Sequence, residues 1–511
     1  MQRLLIIQEN GRHARNQKFR ECFALQRAFA ELGVHAEVWG LGHENYSTDF
    51  PTLAATFDAV LSLENYDSGW HPDLAPLKIP KMFWCFDAHV HPERLLQFAR
   101  SNRFDAVFSA TQHYVSRFAR VAGGAQWLPN AADHFLLDRM YPVERSVPLG
   151  FCGNTGNRGE WLEYLQQQHG LQHAQMVLGP DMVRAVNSYQ VHWNRNMGLD
   201  INYRTFETLA CGSFLLTNYT PGLEQLFNIG EHLAVYAQRA DLERQLQDYL
   251  HAPAECERIA RAGYAHVRSQ HTYVRRAQQI LAVLGVQRPT LEDTLHAIPN
   301  AGENTATVVQ GVHCYLPYQS MPLDNGNLLP GLRSYAPRVR DLQLDDIDFT
   351  GKTVLDLGAN LGMLCLEAKR RGAARVVGVD NDPQYVHAAQ QLAARSGIAA
   401  EYLQLDLNRF DFSTFSDTFG LDQFDVVFCC SMIENLTNAG SFSRSLAPHI
   451  AQTYYLEGHS ADGAREVQRY RGYLESMGFA AVQTLHATDS GQNAPGELNG
   501  HTRPAFRGQR A

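Results

Sequence analysis

The chain has 511 residues, 45% of them apolar and 19% charged, with nine cysteines and a formal net charge of −9. At roughly 150 residues per domain this length asks for about three cores, and the composition excludes a disordered or fibrous chain. The acidic surplus argues against a phosphate-backbone binder, so no nucleic-acid partner is expected.

Met1 to Ile7 is a strand-length apolar run, followed at once by polar QENGRHARNQ, which a signal peptide would not show. The helix-spaced FRECFALQRAFAELG and the strand-like VHAEVWG come next. Strand, helix, strand predicts a parallel sheet with right-handed crossovers. FDAVLSL, IPKMFWCF, FDAVFSA and AQWLPN continue the series, giving one open α/β domain over residues 1–147. PLGFCGN opens a second domain, 148–286, with a helix at GEWLEYLQQQ, the segment INYRTFETLACGSFLLTNYTPGLEQLF, then EHLAVYA and two closing helices. Residues 287–345 are rich in turn signals and weak in periodicity, so they read as linker and lead-in. A third series over 346–511 runs through KTVLDLGANLG, ARVVGVD, AEYLQLDL and FDVVFCCS, with TYYLEGH and FAAVQTL later. Several cysteines sit in apolar runs and none has metal-ligand or CxxC spacing. No run approaches the ~18 apolar residues of a membrane span. A reduced, cytoplasmic protein without a transmembrane segment or a metal is expected.

In the third series, VLDLGANLGMLCLEA is a buried strand, a small-residue turn and a helix, and the next strand ends in Asp380. A carboxylate there can accept both hydroxyls of a ribose. Gly358 and Gly362 permit close backbone approach, and Asn360 tolerates a left-handed backbone. Together with Asp406 and FDVVFCCSMIENL, these marks resemble the class I S-adenosylmethionine-dependent methyltransferases over Phe349 to Glu457. The resemblance implies that Asp356 and the turn face the methionine part of S-adenosylmethionine, Asp380 the ribose and Asp406 the adenine. The fourth strand ends in Cys430, Ser431 and Glu434 instead of the Asn-Pro-Pro-Tyr of many amino-directed relatives, which favours a hydroxyl acceptor. Ser431 belongs to the cofactor site on this reading, and Glu434, Glu457 and His459 are base candidates.

RTFETLACG followed by SFLLTNYTPGLEQLF resembles group 1 glycosyltransferases of the GT-B fold, most of all the spore-maturation type, and FWCFDAHVHP and WLPNAADH extend the likeness across residues 1–280. The expected architecture is therefore α/β throughout: two Rossmann-like domains in a GT-B arrangement, then a Rossmann-like methyltransferase domain. The resemblance implies that Glu207 binds the ribose diol of a nucleotide-diphosphate sugar, because an ionised carboxylate accepts from two hydroxyls. Arg204, three residues earlier on the same helical face, can supply positive charge to the diphosphate. Gly222 opens a helix whose amide groups suit an anion. Asn154 and Arg158, in the turn FCGNTGNRGEW, are further donor-binding candidates. Asp87 or His89, after KMFWCF, could take the acceptor's proton. The related enzymes often carry two glutamates separated by seven intervening residues. Here Leu199 stands eight positions before Glu207, with Asp200 beside it.

The expected function is bifunctional: transfer of a sugar to a glycan, lipid-linked or protein acceptor, and of a methyl group to a hydroxyl of the same glycan. The alternative is a methyltransferase with a non-catalytic, carbohydrate-binding GT-B module.

Overall fold

The structure is a computed structural model, and it describes all residues except 12–15, 18, 135–144, 298–305, 310–311, 316–318, 323–327, 330–334, 459–463, 486–487, 490–501 and 511. It divides into two compact units, Met1–Thr290 and Leu291–Ala511.

The first unit holds two parallel sheets. One comprises β1 (Arg3–Ile7), β2 (His35–Trp39), β3 (Ala59–Leu63), β4 (Lys81–Cys85), β5 (Ala106–Ser109) and β6 (Ala125–Trp127), in the order β2-β1-β3-β4-β5-β6. The other comprises β7 (Val147–Cys152), β8 (Gln172–Ala174), β9 (Tyr189–Asn194), β10 (Leu215–Asn218) and β11 (Ala234–Tyr236), in the order β11-β10-β9-β7-β8. β3 and β4 are buried on both faces. That explains their continuous apolar runs, since crossover helices cover a parallel sheet on both sides. The order reverses between β1 and β3 and again between β7 and β9, and crevices at the carboxyl ends of such strands are where α/β proteins bind ligands.

The last helix of this unit, Tyr273–Val283, packs Val274, Ala277, Ile280 and Leu281 into the core of the first sheet with Leu25 and Phe29. Arg276, only 2% exposed, seals that contact. Its Nε donates to the carbonyl of Pro129 (2.7 Å) and one terminal nitrogen to that of Asn130 (3.1 Å). Residues 148–286, read as the second domain, thus end in a helix whose apolar face packs in the core of residues 1–147.

The second unit opens with helix Leu291–Ala297 and two short hairpins, β12 (Ala306–Val309) with β13 (Val312–Tyr315) and β14 (Met321–Pro322) with β15 (Leu328–Leu329). Its main sheet contains β16 (Thr353–Leu357), β17 (Arg375–Asp380), β18 (Glu401–Gln404), β19 (Phe424–Cys430), β20 (Ile450–Glu457), β21 (Ala481–Thr484) and β24 (Ala505–Gln509). The strand order is β18-β17-β16-β19-β20-β24-β21, with β24 antiparallel to both neighbours; β22 (Thr488–Asp489) and β23 (Thr502–Arg503) form a separate pair. Leu291, Met321, Val339 and Leu344 pack into the same core as Val354, Leu366 and Phe428. Described residues of the segment 287–345, read as linker and lead-in, thus contribute to the second unit's core, and the division between units falls at Thr290. Its apolar residues are spaced too irregularly to announce that role. Among the described residues no helix is long and apolar enough to cross a membrane.

Candidate functional site

Each unit has a cavity at the carboxyl ends of its strands. In the first unit a cleft of about 350 Å³ runs between the two sheets; Arg20, Glu21, Asn154, Arg204, Glu207 and Tyr273 are among its lining residues. Arg204 and Glu207 stand on helix Tyr203–Ala210 with a terminal nitrogen of Arg204 2.8 Å from Oε2 of Glu207. Burial, the largest single influence, opposes the charge on the Arg204 guanidinium, but Glu207 and its other neighbours together raise it above its ordinary value. The helix is fixed from below by a buried relay. The backbone N–H of Cys152 donates to Nε2 of His192 (3.0 Å), Nδ1 of His192 lies 2.5 Å from the Thr208 hydroxyl, and that hydroxyl donates to the carbonyl of Arg204 (2.6 Å). Burial drives His192 well below the usual histidine range, so it is neutral, with Nε2 accepting and Nδ1–H donating. No local pattern announces this device, because its members come from β7, β9 and the helix.

Facing it, Arg20 is 8% exposed and lies at the start of helix Glu21–Glu31. Its Nε donates to Glu21 (3.1 Å), and its guanidinium stacks over the Tyr66 ring, 4.5 Å from the centroid. Gln8 donates to the same carboxylate oxygen, Oε2 of Glu21, at 2.7 Å. Asp87 is exposed, yet the surrounding protein lifts its carboxyl above the ordinary range, while His89, His91 and Arg20 pull it down. Burial lowers His89, and Asp87 opposes that shift. Neither Asp87 nor His89 lines the cleft itself. Asp200 is 7% exposed, and burial first and Asp87 next push its carboxyl well above the carboxylate range, with Arg158 opposing.

Two donor-site expectations are corrected. Arg158 is turned inward, its Nε donating to the carbonyl of Arg195 (2.9 Å) and its guanidinium 5.4 Å from the centre of the Phe151 ring. It shapes the turn that presents Asn154 and does not line the cleft. Gly222 also lies off the cleft. It adopts φ 93°, and a Cβ there would sit 3.4 Å from the Trp127 ring. The helix after it, Leu223–Leu226, is a single turn. Missed altogether by the sequence reading was an amide network at the ends of β9 and β10. In it Asn194 donates to Asn196 (3.2 Å), Asn202 (3.3 Å) and Thr217 (3.2 Å).

The second unit's cavity, about 330 Å³, is lined by Gly358, Asn360, Asp380, Asp406 and Ser431 among others. These come from loops after β16, β17, β18 and β19, on either side of the reversal between β16 and β19. Asp380 accepts the N–H of Asn360 (2.8 Å) and of Asp382 (3.1 Å). Burial raises its carboxyl and these bonds counter the rise. Asn360 has φ 52°, and its buried Oδ1 has no hydrogen-bond partner. At Gly358, φ 77°, a Cβ would come within 2.9 Å of Met432, so the wall tolerates no side chain. Gly362 supports the turn from behind, where a Cβ would strike the Tyr402 hydroxyl at 2.2 Å. A bare backbone wall, an orphaned amide oxygen and an anchored carboxylate fit a nucleoside-bearing cofactor. Asp406 is exposed on the rim and accepts the N–H of Asn408 (3.0 Å).

Here too the structure corrects the expectations. Asp356 is 2% exposed and lies beneath the wall, 3.7 Å from Sγ of Cys365; burial lifts it to about 7. Glu434 is hydrogen-bonded by the Tyr470 hydroxyl and does not line the cavity. Glu457 is fully buried, with a terminal nitrogen of Arg338 at 2.8 and 2.9 Å from its two oxygens and the Ser431 hydroxyl donating at 2.6 Å. His459 lies outside the described residues.

Residues 134–282 match a family model described as glycosyl transferase-like, and residues 354–449 match one described as a methyltransferase domain. These are enzyme domains, and the polypeptide joins two kinds of transferase. Over 58 residues the chain is 48% identical to the ribosomal protein L11 methyltransferase of Aliivibrio salmonicida (strain LFI1238), a match covering 11% of this chain and 20% of that protein. The chain thus spans about a fifth of the length of the curated relatives it matches. Among solved structures, a sucrose-phosphate synthase from Thermosynechococcus elongatus is similar over 56% of this chain and 98% of its own, at 13% identity and a TM-score of 0.42. An S-adenosylmethionine dependent methyltransferase from Mesorhizobium loti is similar over 34% of this chain and 98% of its own, at 16% identity and a TM-score of 0.26.

Proposed function

We propose that the first unit transfers a sugar from a nucleotide-diphosphate donor to a glycan-type acceptor. The second would transfer a methyl group from S-adenosylmethionine to a hydroxyl, on a glycan of the same kind. The observation that carries this reading is the pair of carboxylates, Glu207 and Asp380, each on the wall of a cavity at the carboxyl edge of a parallel sheet.

In the first unit Glu207 would hold the donor ribose and Arg204 the diphosphate. When the acceptor oxygen bonds to the anomeric carbon, the bond to the diphosphate breaks, and Arg204 is placed to stabilise the charge that leaves. Asp87, which follows β4 at the carboxyl edge of the first sheet, would receive the acceptor's proton. In the second unit Asp380, Asn360 and the Gly358 backbone would hold S-adenosylmethionine, which supplies an electrophilic methyl group. With Glu434 and Glu457 engaged elsewhere, positioning of the acceptor carries most of the acceleration.

Calorimetric titration of the full chain with nucleoside diphosphates and with S-adenosylmethionine tests the reading. Glu207→Ala should weaken only the first binding and Asp380→Ala only the second. Binding of neither class by the unaltered chain would refute it.

A further inference from the structure

The cleft of the first unit has an apolar end that Glu207, Arg204 and Asn154 do not explain. Phe19, Tyr66 and Met176 line it and are 47%, 49% and 38% exposed. Large apolar side chains left this open in a polar cleft mark a binding surface. One face of Tyr66 is already covered by the Arg20 guanidinium, which leaves Phe19 and Met176.

These two come from opposite sides. Phe19 precedes helix Glu21–Glu31 of the first sheet, and Met176 lies just past β8 of the second. The Phe19 ring reaches across to the second half and rests on bare backbone at Gly179, where a Cβ would stand 2.7 Å from two of its ring carbons. Met176 has φ 56° and Gly179 φ 60°. A left-handed backbone at an unbranched but bulky methionine is strained, and such strain concentrates at ligand-binding loops.

The loop that carries Met176 lies next to the one that carries Asn154, because β8 and β7 are neighbours, and β9, which leads to the Arg204–Glu207 helix, flanks β7 on the other side. A nucleoside diphosphate with its ribose on Glu207 and its phosphates on Arg204 still has a flat aromatic base to place. The exposed ring and thioether in the same cavity match that base in chemistry, since every nucleobase offers a π face and sulfur packs well on aromatics.

We propose that Phe19 and Met176 form a two-sided clamp for the donor's nucleobase, with Phe19 as the stacking platform, so that base recognition draws on both halves of the unit. This rests on the donor reading above. Because stacking is indifferent to the edge of the base, the clamp contributes affinity for uridine, adenosine and guanosine diphosphates alike.

The test is titration of the full chain and its Phe19→Ala, Phe19→Trp and Glu207→Ala variants with UDP, ADP, GDP and inorganic pyrophosphate. Loss of a base–aromatic stack should raise the Kd of Phe19→Ala for whichever nucleoside diphosphate binds by about tenfold. Phe19→Trp should keep wild-type affinity, and pyrophosphate, having no base, should bind all Phe19 variants equally. Melting temperatures should not move, because Phe19 is half exposed. Wild-type nucleotide affinity in Phe19→Ala, beside a loss in Glu207→Ala, overturns the clamp and spares the donor reading. An equal loss of pyrophosphate in Phe19→Ala also overturns it. No nucleoside diphosphate binding by the unaltered chain defeats the donor reading and the clamp with it.

Discussion

The two cavities are similar in size but differ in how much chain it takes to build them. The wall of the second unit's cavity is drawn from Gly358 to Leu436, one continuous stretch of strand, turn and helix. The wall of the first unit's cleft is drawn from Asn16 to Tyr273, with two sheets contributing and a late helix closing the set. A cavity of the first kind is specified by local geometry, such as a glycine turn against a neighbouring strand. A cavity of the second kind exists only once two cores have packed, so its integrity depends on contacts far from the ligand.

The sharpest way to break this contrast is at Arg276. Its guanidinium, pulled down to about 9 by burial, satisfies two carbonyls of the first sheet's exit loop. Arg276→Ala leaves them unpaired and should cost about 3 kcal/mol. Hydrogen exchange should show the loss in β1–β6 together with weaker nucleotide binding, while protection in β16–β20 stays unchanged. Next in size are the two carboxylates themselves. Removing a charged acceptor of ribose hydroxyls should raise the Kd for the cognate ligand roughly 10- to 100-fold. Glu207→Ala should do so for the nucleoside diphosphate alone and Asp380→Ala for S-adenosylmethionine alone, as calorimetry can determine.

A smaller effect separates the units by pH. Asp356 is lifted from 3.8 to about 7, so the unfolded chain ionises first and the second unit loses stability as pH rises from about 4 to 7. Asp356→Asn should remove that slope, worth about 2 kcal/mol between pH 5.5 and 7.5. In the first unit the groups oppose one another. Glu64, raised to about 7, gives the same slope, while His271 and His71, lowered to about 3 and 4, lose stability as pH falls below about 6.5. Regional hydrogen exchange at pH 5.5 and 7.5 should therefore show a shallow net change there. The smallest change expected is at Gly222→Ala. Its strained φ should cost about 1 kcal/mol in melting without altering nucleotide affinity, because it lies off the cleft.

Legibility in the sequence followed the same divide. The strands of all three sheets stood out where they are apolar on both faces, as in β3, β4 and β19. Short β8 and the late antiparallel β24 did not, since neither has a periodic run long enough to register. Asp380 and the glycine turn could be placed from spacing alone. Arg204 and Glu207 could be paired because three residues on a helix share a face. Arg20, Tyr273 and the His192–Thr208 relay could not, because nothing local ties residue 20 to residue 204 or β7 to a helix fifty residues on. The surroundings of the acids expected as bases were hidden for a related reason. Glu434 and Glu457 have the right position along the chain, but Tyr470, Arg338 and Ser431, remote in sequence, had already claimed them.

The return of helix Tyr273–Val283 to the first sheet's core has a practical side. The backbones of Ala132 and Thr272 run side by side where the chain leaves that core and where it comes back. A fragment cut at residue 147 would bare the apolar groove that Val274, Ala277 and Ile280 fill, and a fragment starting at 148 would carry that greasy strip with nowhere to put it. The two sheets of the first unit are thus stitched together by the thread of the chain itself, and a clean separation requires grafting the helix back onto the piece it covers.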